Sequence, residues 1–255
     1  MKLNLSNYRN IAAFFMCLTL SNCSGKKEFY SLSPNIQKEV KSCDVEFEEE
    51  QDEFCNKIHK ANLSRIDGGL IFALIDVAVE SYREGKAKEL SKNLEKFCDH
   101  SEFNKKFKES VIKALKDSNW INIHTIEHKK KSNEDKKIDR KYSSDALINI
   151  KFSYATDKVF DAILGTLHFT MTPNSERLKK IANHDPKNPL PVLKFNVKSR
   201  YRLPNADNDE DKEKNIAMWV ANDGLLLKKA LDYIIKEIIK KTSSVLENPD
   251  ALPEK

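Results

Sequence analysis

Leu227, Leu231, Ile234, Ile238 and Val245, with Ala230 and Ile235 beside them, form one apolar stripe at helical spacing near the C-terminal end of the chain. Lys228, Lys229, Asp232, Lys236, Glu237, Lys240 and Lys241 fill the other positions. A helix of this kind draws most of its stability from burying its apolar face, so it needs a broad apolar partner. Asn248 and Pro249 end it.

Upstream segments supply that partner. Trp120 to Ile126, Ala146 to Tyr154, Val159 to Met171 and Val192 to Leu203 alternate apolar with polar residues, the period of a half-buried strand. Two shorter segments, Lys41 to Phe47 and Glu53 to His59, alternate in the same way. Phe103, Phe107, Val111, Ile112 and Leu115 place a helix in Phe97 to Leu115, and Pro173-Asn174-Ser175 opens a short helical piece through Leu178 and Ile181. The run after Asp67-Gly68-Gly69, from Leu70 to Val79, is apolar nearly all round and is read as a buried helix in preference to a docking surface. The expectation is an α/β chain of the α+β type, with a mostly antiparallel sheet of five or six strands and helices packed on one face. Residues 42–246 form the domain, 23–41 the lipidated N-terminus and a tether that becomes ordered near Tyr30, and 247–255 a tail.

The N-terminal end carries an address. Lys2 and Arg9 precede the apolar segment Ile11 to Leu20, which ends at Cys23. The segment suits a secretory signal and is well short of the roughly 20 residues that span a bilayer. Leu20-Ser21-Asn22-Cys23 resembles the lipobox of bacterial lipoproteins, although Asn22 stands where Gly, Ala or Ser is usual. The resemblance implies cleavage of residues 1–22 and acylation of Cys23. Ser24 in place of Asp implies the outer membrane, with the protein facing the periplasm; the inner membrane and secretion are the alternatives. More than one acyl chain would anchor stably, since one chain alone binds marginally. An ordinary cleaved signal with an incidental cysteine is the competing reading.

Losing Lys2 and Arg9 with the signal lowers the net charge from +5 to +3. Acids and bases are interspersed, so no concentrated basic face points to nucleic acid. Cys43, Cys55 and Cys98 then remain besides Cys23. A Cys43–Cys55 disulfide with one free thiol and three reduced cysteines both fit.

Motifs that could carry chemistry fall short of a signature. His124 and His128 are four apart, but on a strand end and a loop they read as surface histidines. Cys98-Asp99-His100 sets a thiol near an imidazole without the orienting third group that nucleophilic catalysis requires. The cluster Glu46 to Glu53 lacks the spacing of a calcium loop. Gly68-Gly69 lacks both the Lys-Ser/Thr pair of a phosphate loop and the third glycine of a dinucleotide fingerprint. No catalytic residue, metal or cofactor is therefore assigned. Trp219, Asn222, Asp223 and Gly224 sit where the long helix starts or is interrupted. They read as a helix joint packed under the sheet, or as a recognition spot for a partner.

Asp67-Gly68-Gly69-Leu70-Ile71, Arg83 and Trp219-x-x-Asn222-Asp223-Gly224 together resemble a group of uncharacterised proteobacterial lipoproteins. The resemblance implies no activity. The order of elements is also similar to the small domains of envelope lipoproteins that activate cell-wall synthases, a likeness of architecture alone. The functional expectation is a membrane-anchored, non-enzymatic module that binds or organises another envelope component. A hydrolase-like periplasmic enzyme with a dispersed site is the alternative.

Overall fold

The computed structural model describes residues 29–48, 51, 53–56, 85, 89–128, 143–157, 159–185, 187, 190–204 and 211–250. The signal and Cys23, the helix expected after Asp67, Gly68-Gly69 and Arg83 lie outside the described residues.

Three long strands make the floor of the molecule. β4 (Ala146–Thr156), β5 (Ala162–Pro173) and β6 (Leu193–Arg202) form an antiparallel meander. Ile150, Phe169 and Phe195 line up across the three strands, as do Phe152, Leu167 and Val197, so the alternating apolar residues gather on one face. The other face carries Asn149, Lys151, His168, Asn196 and Lys198, as period-two patterning requires when a sheet buries one side.

β1 (Cys43–Phe47) lies between β3 (Ile123–His128) and β4, parallel to both. The order is β3-β1-β4-β5-β6, with the two-residue β2 (Cys55–Asn56) also parallel to β4. The sheet is therefore mixed: three consecutive long strands are antiparallel, and the β1 flank is parallel. Between β1 and β2, the Gln51 side chain takes over the ladder. Its Nε2 donates to the Tyr154 carbonyl at 2.7 Å, and its Oε1 accepts from the Tyr154 N–H at 3.0 Å.

Two helices cover the apolar face. α2 (His100–Asp117) is capped by Asp99, whose carboxylate accepts from the Glu102 N–H at 2.9 Å. Its Phe107 stacks on Phe152 with centroids 4.0 Å apart. α4 (Lys212–Glu247) carries the C-terminal stripe, and Leu227, Leu231, Ile234, Ile238 and Val245 are all buried. Gly165 of β5 is the point of closest approach. A Cβ there would stand 2.3 Å from Ile234 Cγ2 and 3.0 Å from Ile238 Cδ1, so only glycine lets the helix settle onto the strands.

α4 is two helical arms joined by Ala221 to Gly224. Asn222, Asp223 and Gly224 are left-handed in succession (φ 52°, 57° and 71°), conformations that these residue types tolerate best. Trp219 is fully buried, and its Nε1–H donates to the Phe160 carbonyl at 2.7 Å. Asn215 Nδ2 donates to the neighbouring Val159 carbonyl at 2.8 Å. The shorter arm is thus pinned to the β4–β5 turn. Gly224 is buried against Phe97, where a Cβ would come within 2.6 Å of the ring-bearing carbon.

The chain is ordered near Tyr30, but the domain begins earlier than the boundary expected at residue 42. Residues 30–40 belong to the body of the fold and not to a tether. Tyr30 and Lys194 exchange two backbone hydrogen bonds of 2.9 Å, and the Leu32 N–H donates to the Pro249 carbonyl at 2.9 Å. Leu32 and Val40 are buried, and α1 (Pro34–Glu39) lies between them with Ser33 as its cap. α3 (Glu176–Ile181), capped by Ser175, packs beside α1. Pro249 is buried as well, so the fold also runs past residue 246.

The Cys43–Cys55 pairing is not formed. Cys43 is a free, buried thiol. Along β4, Cys43 sits opposite Ala146 and Cys55 opposite Ala155. At about 3.3 Å per residue those positions are roughly 30 Å apart, and a disulfide needs Cα atoms within about 7 Å.

Candidate functional site

A group of polar side chains capable of chemistry, Glu95, Cys98, His100 and Tyr154, gathers where α2 begins. Segment 89–95 is helical and ends at Glu95, after which Phe97 to Asp99 turn the chain into α2. Glu95, Cys98 and His100 therefore come together across one tight corner. His100 Nε2 meets Glu95 Oε2, and His100 Nδ1 meets the Tyr154 hydroxyl, both at very short range. The Cys98 sulfur lies 3.6 Å from the same Nδ1. Glu95 Oε1 also accepts from the Phe54 N–H. Phe54 and Tyr154 pack edge to face, so the imidazole is held between an acid, a phenol and an aromatic wall.

This arrangement supplies the third group that the sequence around Cys98-Asp99-His100 lacked. Thiol, imidazole and carboxylate stand in the order that nucleophilic catalysis uses. Two features oppose an activated nucleophile at rest. Burial, followed by the charges of Glu95 and Asp99, pushes the Cys98 thiol up to about 12, so it keeps its proton at neutral pH. The Tyr154 hydroxyl also occupies the nitrogen that would take that proton. As it stands, the cluster ties segment 89–95, α2 and β4 together.

Beside it, a cleft of about 250 Å³ opens between α2 and α4. Phe97, Phe103 and Leu231 give it apolar walls, and Cys98 reaches it from the corner. Asp99, Glu102, Lys106, Lys228 and Asp232 line it with both signs of charge, and Lys106 Nζ joins Asp232 Oδ1 across it at 2.6 Å. Such a cleft suits an amphipathic group that carries its own charge pair, for example a peptide segment.

The other expected sites fare differently. Of the recognition spot at the helix joint, Trp219 and Gly224 are interior, because the indole and the left-handed turn are needed to bend α4 over the sheet. They cannot be a contact surface. Asn222 and Asp223 remain exposed at the joint. His124 is directed to the buried Asp44, Nδ1 to Oδ1 3.1 Å, and Thr125 Oγ1 donates to the same oxygen at 2.6 Å. Burial pushes the Asp44 carboxyl up, but hydrogen bonds from Thr125, Ser144 and His124 bring it below its ordinary value. No group of three His, Cys, Asp or Glu among the described residues could hold a metal ion.

Sequence reasoning missed Glu95 and Tyr154 because nothing in spacing links them to His100. It also missed the charged rim, whose two halves are more than a hundred residues apart. A signal for α1 was present, since Ser33-Pro34 is a cap followed by a proline at the first helical position. Neither a family model nor a curated protein matches the chain.

Proposed function

We propose that the chain is a lipid-anchored envelope protein, held by acylated Cys23 at a bacterial outer membrane, whose domain binds another envelope component through the cleft between α2 and α4. The observation that carries this reading is the apolar segment Ile11 to Leu20 running into Leu20-Ser21-Asn22-Cys23. The mixed apolar and charged lining of the cleft supports the binding role. The test is metabolic labelling with a palmitate analogue. The parent should carry label in the membrane fraction, and Cys23→Ser should lose both label and fractionation. A labelled Cys23→Ser protein, or an unlabelled parent, overturns the proposal.

A second reading rests on Cys98 Sγ lying 3.6 Å from His100 Nδ1 with Glu95 on the opposite nitrogen. With Tyr154 moved aside by a substrate, His100 could take the thiol proton. The thiolate would then attack an acyl carbonyl, His100 would return the proton to the leaving alcohol or amine, and water would release the acyl group. Ester or peptide hydrolysis lost in Cys98→Ala would favour it. Equal turnover by parent and Cys98→Ala, or none by either, removes it.

A further inference from the structure

The domain has one end tied close to its proposed anchor. Tyr30 is fixed to Lys194 at the start of β6, and Leu32 to Pro249 at the end of α4. The seven steps from Cys23 to Tyr30 reach at most about 25 Å, so an acylated Cys23 would keep this end of the sheet within that distance of the bilayer. That end holds the connection from β5 to β6, which includes α3. Two of the large exposed apolar side chains lie in this connection, Ile181 at 40 % and Leu190 at 49 % exposure.

Basic side chains cluster in the connection itself, with Arg177, Lys179, Lys180, Lys187 and Lys194 within 18 positions. Residues 34–41 and 176–194 carry seven Lys and Arg against three Asp and Glu. Asp145, paired with Arg177, lowers the excess of this corner to +3, and Glu247 and Asp250, beside the Leu32–Pro249 bond, lower that of the whole end to +1. Exposed Ile and Leu among lysines is the composition that binds an interface of anionic headgroups.

We infer that the corner formed by α1, α3 and the approach to β6 rests on the anionic phospholipid surface of the membrane that holds the anchor, with Ile181 and Leu190 at the headgroup level. This deepens the lipid-anchor reading and depends on it. The opposite end would then face away from the membrane. Leu225, 51 % exposed, begins the longer arm of α4, and 22 residues of helix separate it from Glu247. At 1.5 Å per residue that is about 33 Å.

The test uses the full chain, matured and acylated in cells, purified and reconstituted into vesicles of phosphatidylethanolamine and phosphatidylglycerol containing brominated acyl chains. Leu190→Trp and Leu225→Trp variants are compared with the parent, whose two native tryptophans set the baseline. Bromolipid quenching of the added tryptophan should be at least twofold greater at 190 than at 225. It should fall when Lys179, Lys180 and Lys187 are changed to Glu. Equal quenching at the two positions in acyl-labelled protein overturns the membrane-facing corner and leaves the anchor standing. Absence of acyl label on Cys23 in the same preparation overturns the anchor itself, and this inference with it.

Discussion

Gly165 and Ile234 should behave as one unit in a double-mutant cycle. Gly165→Ala places a methyl 2.3 Å from Ile234 Cγ2 and 3.0 Å from Ile238 Cδ1. Overpacking of that kind costs about 1–3 kcal/mol. Ile234→Ala empties a fully buried site and should cost about 2–5 kcal/mol. It also removes the Cγ2 atom that the new methyl meets. The double variant should therefore cost about 1–3 kcal/mol less than the sum of the singles, the range expected for residues in direct contact. Urea unfolding followed by circular dichroism would measure each corner of the cycle, with an unchanged m-value showing that the native and unfolded surfaces are comparable. Additivity within about 0.5 kcal/mol would mean that the helix does not lie on Gly165. A stabilising Gly165→Ala would mean the same.

Gly224→Ala meets both a positive φ of 71° and the Phe97 side chain 2.6 Å away, and should lower stability by about 2–4 kcal/mol in thermal or urea unfolding. Burial, and then Asp161 beside it, raises Asp157 to about 6. A raised carboxyl contributes stability that is complete below its unfolded value of about 3.9 and is lost as pH rises through about 6. Asp157→Asn should therefore gain on the parent between pH 4 and pH 7, and a pH-independent difference in unfolding free energy would contradict this. Asp44 and Asp145 lie below their ordinary values, and a depressed carboxyl holds its contribution above about 3.9 and loses it as pH falls further. Asp44→Asn should accordingly cost stability at pH 7 and progressively less below pH 4. Burial pushes the Cys43 thiol up to about 12. Peptide mapping after alkylation at pH 8 should find Cys43 unmodified in the native protein and modified once it is unfolded, and a Cys43 disulfide in a non-reduced digest would refute the free thiol.

The parts of the fold legible in the sequence are those whose periodicity is long and whose partners are near. The C-terminal stripe and the alternation in β4, β5 and β6 each run for ten or more residues and name the buried face directly. β1 was legible as a strand but not as a central one. Cys-Asp-Val-Glu-Phe alternates like a half-buried strand, yet all five residues are buried. Ser144, Thr125 and His124, which surround Asp44, lie 80 or more positions away, and no local pattern could announce them. Gly165 read as one more strand residue, because a close approach is a property of the element above it. The candidate site was half legible. Cys98 and His100 are neighbours in sequence, whereas the hydroxyl of Tyr154 reaches His100 only when β4 lies beneath α2.

The position of β1 has a consequence for the order in which the protein can assemble. A chain emerging amino end first presents Cys43–Phe47 long before Ile123–His128 and Ala146–Ile150, the two segments that must flank it. About a hundred residues have to follow before both ladders can close. During that interval the segment is an apolar strand with unsatisfied edges on both sides, the kind of sequence that pairs with a wrong neighbour. Asp44 and Glu46, buried in the finished sheet, are charged and hydrated while it waits. The same acids that need partners in the native state act beforehand as gatekeepers, keeping the earliest strand soluble until the right edges arrive.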